Sequence, residues 1–79
     1  MIKSIGLLEL NSIARGIQTA DFMVKAADVQ LIFAKPVCPG KYIILVSGEV
    51  SAVKASVDVG IQEGTPHIVD DMLIANVHE

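Results

Sequence analysis

A chain of 79 residues with six Lys and Arg against nine Asp and Glu, net −3, has no basic patch to follow a phosphate backbone, which excludes nucleic acid as an expected partner. Its 52% apolar content includes no uninterrupted run longer than Tyr42–Val46, far short of the roughly 20 residues of a bilayer-spanning helix, and Met1-Ile2-Lys3 opens no signal-peptide core, so neither a membrane span nor export is expected. One cysteine fits a reducing cytosol; a single domain of this size buries only roughly 60–65% of its unfolded surface, so the surplus of Val, Ile, Leu and Ala points to further burial between subunits.

Residues 2–10, Ile-Lys-Ser-Ile-Gly-Leu-Leu-Glu-Leu, have the length and apolar content of a strand. Gly6 within it marks either a bulge or the close approach of a neighbouring backbone. Asn11-Ser12 offers an N-cap, and Ile13, Ile17, Ala20, Val24 and Ala27 follow at spacings that form one apolar helix stripe. Phe22 and Met23 fall off that stripe and form a candidate intersubunit face. Gly16 costs about 1 kcal/mol relative to Ala in a helix, so its presence predicts close packing against a sheet.

Val29–Ala34 and Tyr42–Val46 read as strands two and three, joined by the loop Lys35-Pro36-Val37-Cys38-Pro39-Gly40-Lys41 as an antiparallel hairpin. Pro36 and Pro39 each lack a backbone donor, which argues against a central strand there. Pro39-Gly40 suits the middle of a type II turn, with Gly40 at positive φ and Cys38 held at a stiff tip. A second helix opens at Ser47-Gly48-Glu49 with Glu49 in its positive N-terminal field, and carries Val50, Val53, Val57 and Ile61. Gly60 and Gly64 are expected to weaken its end, and Thr65-Pro66 to close it. His67–Val77 is the fourth strand. The order β-α-β-β-α-β predicts a single domain over 1–79, an α/β (α+β) two-layer sandwich of four strands covered by two helices.

Cys38 reads in two ways, as a packed small hydrophobe or as a thiolate ligand. Iron–sulfur clusters take four ligands, which one chain does not supply but copies related by a symmetry axis can. Nucleophilic catalysis needs a base, and the only histidines, His67 and His78, lie near the far end of the chain. Asp70 and Asp71 are adjacent, so on a strand they point to opposite faces and do not form an acid–base pair. No phosphate loop, dinucleotide fingerprint or zinc motif occurs, and no enzymatic activity is expected.

Ile5-Gly6-Leu7-Leu8-Glu9, Asp21-Phe22-Met23-Val24-Lys25-Ala26-Ala27-Asp28-Val29 and Gly48-Glu49-Val50-Ser51-Ala52-Val53-Lys54 resemble, in order and spacing, the three signature segments of bacterial microcompartment shell proteins. The resemblance implies a permuted ferredoxin-like fold with a four-stranded antiparallel sheet. It further implies self-association into a hexamer or pseudo-hexamer, a disc whose central pore is lined by the strand two to strand three loop. Discs of that family tile into a shell in the cytoplasm with other shell proteins around encapsulated enzymes, and Lys25 falls at the disc edge. Cys38-Pro39-Gly40-Lys41 is similar to the first domain of tandem-domain, trimeric members of the propanediol-utilization type, in which pore cysteines of three subunits hold an iron–sulfur cluster. That implies a 4Fe-4S cluster shared between subunits through Cys38, in a pore loop formed by Lys35, Pro36, Val37, Pro39, Gly40 and Lys41, for electron transfer or cluster exchange. The lysines Lys35 and Lys41 give the pore rim positive charge. The alternative is a shell disc with an empty pore that conducts small metabolites. The chain departs from the family pattern in lacking a second domain and a C-terminal helix, which leaves it as either the first half of a tandem protein or a minimal single domain.

Overall fold

The computed structural model describes residues 2–78, and the side chains of residues 4–75. Alternation gives strand β1 (Ile2–Leu10) two faces: Ser4, Gly6, Leu8 and Leu10 are buried, whereas Ile5, Leu7 and Glu9 are half covered. Strand β3 (Lys41–Gly48) repeats the pattern with Tyr42, Ile44 and Val46. The register pairs Gly6 with Val46, Leu8 with Ile44 and Leu10 with Tyr42, so the buried residues of the two strands share one side of the sheet. Strands β2 (Gln30–Val37) and β4 (Ile68–His78) complete an antiparallel sheet of order β2-β3-β1-β4, and β2 and β4 are its edges. The expected element order and two-layer architecture are therefore present.

Helix α1 (Ile13–Ala26) starts at Ser12, whose hydroxyl oxygen accepts the Arg15 N–H at 3.2 Å. Its buried face differs from the apolar stripe. Gly16, Thr19, Ala20 and Met23 are buried, while Ile17 is 57% exposed and Ile13 is also exposed. Met23, placed off the stripe by periodicity and expected at a subunit interface, is fully enclosed; Phe22 is exposed as expected. The sheet decides this phase. A Cβ at residue 16 would lie 2.4–2.6 Å from Cδ2, Cγ and Cβ of Tyr42, so the helix turns its glycine to the ring and rests directly upon it. The helix has two apolar faces, and the one with smaller residues comes nearer the sheet. Thr19 tolerates burial because its hydroxyl donates to the Arg15 carbonyl at 2.7 Å.

Helix α2 (Val50–Gly64) lies beside α1 on the same side of the sheet and buries Val53, Ser56, Val57, Gly60 and Gly64. The helix ends at Gly64 with Thr65 as its C-cap, as expected, and Gly60 and Gly64 each also mark a close contact. A Cβ at Gly60 would meet Met23 Sδ at 2.7 Å and Leu8 Cδ2 at 2.8 Å, and one at Gly64 would meet Ile68 Cδ1 at 2.6 Å. Gly6 answers them from the sheet, where a Cβ would meet Val57 at 2.6 Å and Val53 at 2.8 Å. Its pairing with β3 is unbroken, so Gly6 admits the helix rather than marking a bulge. Ser56 Oγ–H donates to the Met23 carbonyl at 2.9 Å and ties the helices together inside the core.

The opposite sheet face carries no helix. Ile5, Leu7, Ile43 and Leu45 are half covered there, and Met72 and Ile74 on β4 are exposed. Leu31 and Ile32 are exposed on β2. Together with Ile13, Ile17 and Phe22 on α1 and Val50 on α2, this apolar surface is the surplus that composition pointed to.

Candidate functional site

The hairpin between β2 and β3 is tighter than the sequence suggests. Lys35, Pro36 and Val37 are not loop residues: they continue β2, opposite Ile43, Tyr42 and Lys41, and Lys41 opens β3. Only Cys38, Pro39 and Gly40 form the turn. Pro36 is accommodated because β2 is an edge strand, where a missing N–H breaks no internal ladder. Gly40 has the expected positive φ of 69°, and the Cys38–Pro39 peptide is cis. Cys38 is a free, exposed thiol at the tip. Within a single chain it is therefore not packed as a small hydrophobe.

The two lysines beside the turn are in different states. Lys41 Nζ lies 3.4 Å from Glu9 Oε2 on the neighbouring strand, so its charge is compensated within the chain. Lys35 is exposed, with Nζ 4.9 Å from the ring centroid of Phe33, a neighbour two residues away on the same sheet face. Of the expected pair of free rim charges, only Lys35 remains. Glu9 was missed as a partner because its nearness to Lys41 depends on β1 pairing with β3, not on local spacing.

Among the described residues, no three His, Cys, Asp or Glu side chains gather where they could hold a metal ion. His67 Nδ1 lies 3.1 Å from Asn11 Oδ1, and Asn11 N–H donates to the His67 carbonyl at 2.9 Å, so this histidine is a turn residue joined to the end of β1. The His78 side chain lies outside the described residues. Asp70 and Asp71 face opposite sides of β4, paired with Glu9 and Leu8 respectively, as strand geometry requires.

Lys25 stands on the outer face of α1, with its side chain 71% exposed and its ammonium 2.9 Å from Asp21, one helical turn earlier. That pair was legible as an i, i+4 spacing. At such exposure it contributes little to stability, so Lys25 is available for other contacts. No helix among the described residues is long and apolar enough to cross a membrane.

Comparison with known proteins brings these features together. The sequence model of the BMC domain matches residues 4–77. Bacterial microcompartment shell protein PduT of Citrobacter freundii is 38% identical over 78 residues, which cover 99% of this chain and 42% of that protein. Carboxysome shell protein CcmK2 of Synechocystis is 32% identical over 80 residues, covering 96% of this chain and 78% of that protein. A crystal structure of a microcompartment protein from Desulfitobacterium hafniense superposes with a TM-score of 0.96 at 55% identity, over 99% of this chain and 43% of the other. The chain thus spans about two-fifths of the length of PduT and of that solved chain. With a match from Ser4 to Val77 and the same strand and helix arrangement, this chain belongs to the BMC domain family.

Proposed function

We propose that this chain is a structural component of a bacterial microcompartment shell in the cytoplasm, assembling as a hexamer or pseudo-hexamer around an axis through the Cys38 turn. The observation that carries the reading is the match to PduT over 99% of this chain, joined by the match to CcmK2 over 78% of that protein's length. Exposed apolar residues on both sheet edges and on the outer side of α1, Leu31, Ile32, Leu73, Ile74 and Ile17, support it physically, because a single copy leaves them in water. Its partners are further copies, other shell proteins and the enzymes inside the shell. Its role is structural rather than catalytic.

In this assembly the Cys38–Gly40 turns converge on the pore, with Lys35, Pro36, Val37 and Lys41 forming the strand ends behind them. Cys38 fits as one thiolate of a shared set: it is exposed, lies at a turn, and no competing metal ligand set occurs among the described residues. An iron–sulfur cluster held by several copies would give the pore electron transfer or cluster exchange. The second reading is a pore without a cluster, lined by the same exposed turn, that passes small metabolites.

The assembly is tested by light scattering of purified protein at micromolar concentration. A cyclic oligomer is expected, and a monomer would overturn the proposal. The disc edge is tested at Lys25. Lys25→Ala or Lys25→Asp should leave the disc mass unchanged while extended sheets or tubes, seen by electron microscopy on overexpression, disappear; sheets that persist in both variants remove Lys25 from the edge.

A further inference from the structure

The strand register sets up one row across the helix-free face that ends in opposite charges. Lys35 on β2 pairs with Ile43 on β3, Ile43 with Glu9 on β1, and Glu9 with Asp70 on β4. Directly opposed residues share a face, so Lys35 and Asp70 stand at the two edges of the sheet at the same height. They are separated by three strand spacings, about 14 Å, too far to pair within one chain. Glu9, between them, is already paired with Lys41. Among the described residues neither Lys35 nor Asp70 has an ionic partner. The Lys35 ammonium rests on its own Phe33 ring, and Asp70 Oδ1 accepts the Asp71 N–H at 2.9 Å, which orients the carboxylate and leaves its second oxygen available.

The neighbouring rows match in the same way. Phe33, Leu45, Leu7 and Met72 form the next row on this face, with apolar side chains at both edges. On the helix side, Leu31, Val46, Gly6 and Leu73 do likewise, and both edge leucines are exposed. The β2 edge thus presents Lys35, Phe33 and Leu31 at the heights where the β4 edge presents Asp70, Met72 and Leu73.

Resting on the cyclic assembly proposed above, we infer that the β4 edge of one copy docks on the β2 edge of the next, with Asp70 of one pairing with Lys35 of the other. Such a contact is head-to-tail, the class that closes into rings when each step includes a suitable rotation. Two features of β2 keep the edges from merging into a flat, continuous sheet. Pro36 has no N–H to donate, and the register shift between Leu31 and Phe33 interrupts the ladder at Ile32. The contact is therefore made by side chains, which leaves the rotation free to close a ring. The β4 edge carries neither device between Asp70 and Ile74, so β4 presents its residues in regular register.

The test is charge reversal read by analytical ultracentrifugation at micromolar concentration. Lys35→Asp alone and Asp70→Lys alone each place like charges at every junction and are expected to convert the oligomer to monomer; the double variant restores opposite charges and the oligomer. Asp70→Asn, which keeps an acceptor for the Asp71 amide, should weaken assembly less than Asp70→Lys and reduce its salt sensitivity. Both positions are exposed, and an unchanged circular-dichroism melt at low concentration verifies the fold. An oligomeric wild type whose single variants also remain oligomeric overturns the pairing alone, as do singles that dissociate without rescue in the double variant. A monomeric wild type overturns the assembly together with the pairing.

Discussion

Replacing Met23 with alanine is expected to destabilise the fold by about 2–5 kcal/mol, the range for emptying a fully buried long apolar side chain. A domain of 79 residues is typically stable by about 4–12 kcal/mol, so this one truncation removes a large share of the total. The Met23 side chain lies against Gly60, and its backbone carbonyl accepts the Ser56 hydroxyl. The cavity would therefore open at the junction of both helices with the sheet, where little can collapse to fill it. Ile17→Ala, on the stripe that periodicity selects, should change the stability of the isolated fold by under about 0.5 kcal/mol, as for other exposed positions. Urea unfolding at low protein concentration separates them: the midpoint should fall strongly for Met23→Ala and barely for Ile17→Ala, with m unchanged. The reverse order would mean that α1 is rotated from the phase described here.

Cys38→Ser should abolish iron binding while leaving the fold and the oligomer in place. The side chain is exposed at a three-residue turn and packs against neither helix, so its replacement should cost less than about 0.5 kcal/mol. A serine hydroxyl remains protonated near neutral pH and does not replace a thiolate as a cluster ligand. Each chain offers this one cysteine, so loss should be complete rather than partial. The measurement is iron content and visible absorbance after anaerobic reconstitution with iron and sulfide, alongside mass in solution. A wild-type oligomer that binds no more iron than Cys38→Ser would leave the pore without a cluster and favour metabolite passage. Wild-type protein that retains iron and colour in proportion to assembled discs would support the shared site.

The element order, the Ser12 cap and the turn at Cys38 were legible because each depends on nearest neighbours in the chain. Tyr42–Val46 is apolar on both faces and β1 buries Ser4 and Gly6, so which side of these strands turned inward was decided by the helices that cover it. A cap needs only its own first turn. The family segments were legible for a different reason, since they carry whole-chain information in their order and spacing. Tertiary structure alone decided which apolar face of α1 turned inward, because the choice between Ile17 and Met23 depends on the ring of Tyr42, 19 residues beyond Met23, and on the room that Gly16 leaves for it. It also gave Gly60 and Gly64, legible only as weak helix formers near the end of α2, a second role as contact points: propensity is local, whereas the space a missing Cβ leaves acquires value only when another layer enters it. Pro36 could join a strand because that strand became an edge, a property of sheet order. The same order placed Glu9 beside Lys41 and put Lys35 and Asp70 at opposite ends of one row, pairings between residues distant in sequence that only strand register can bring about.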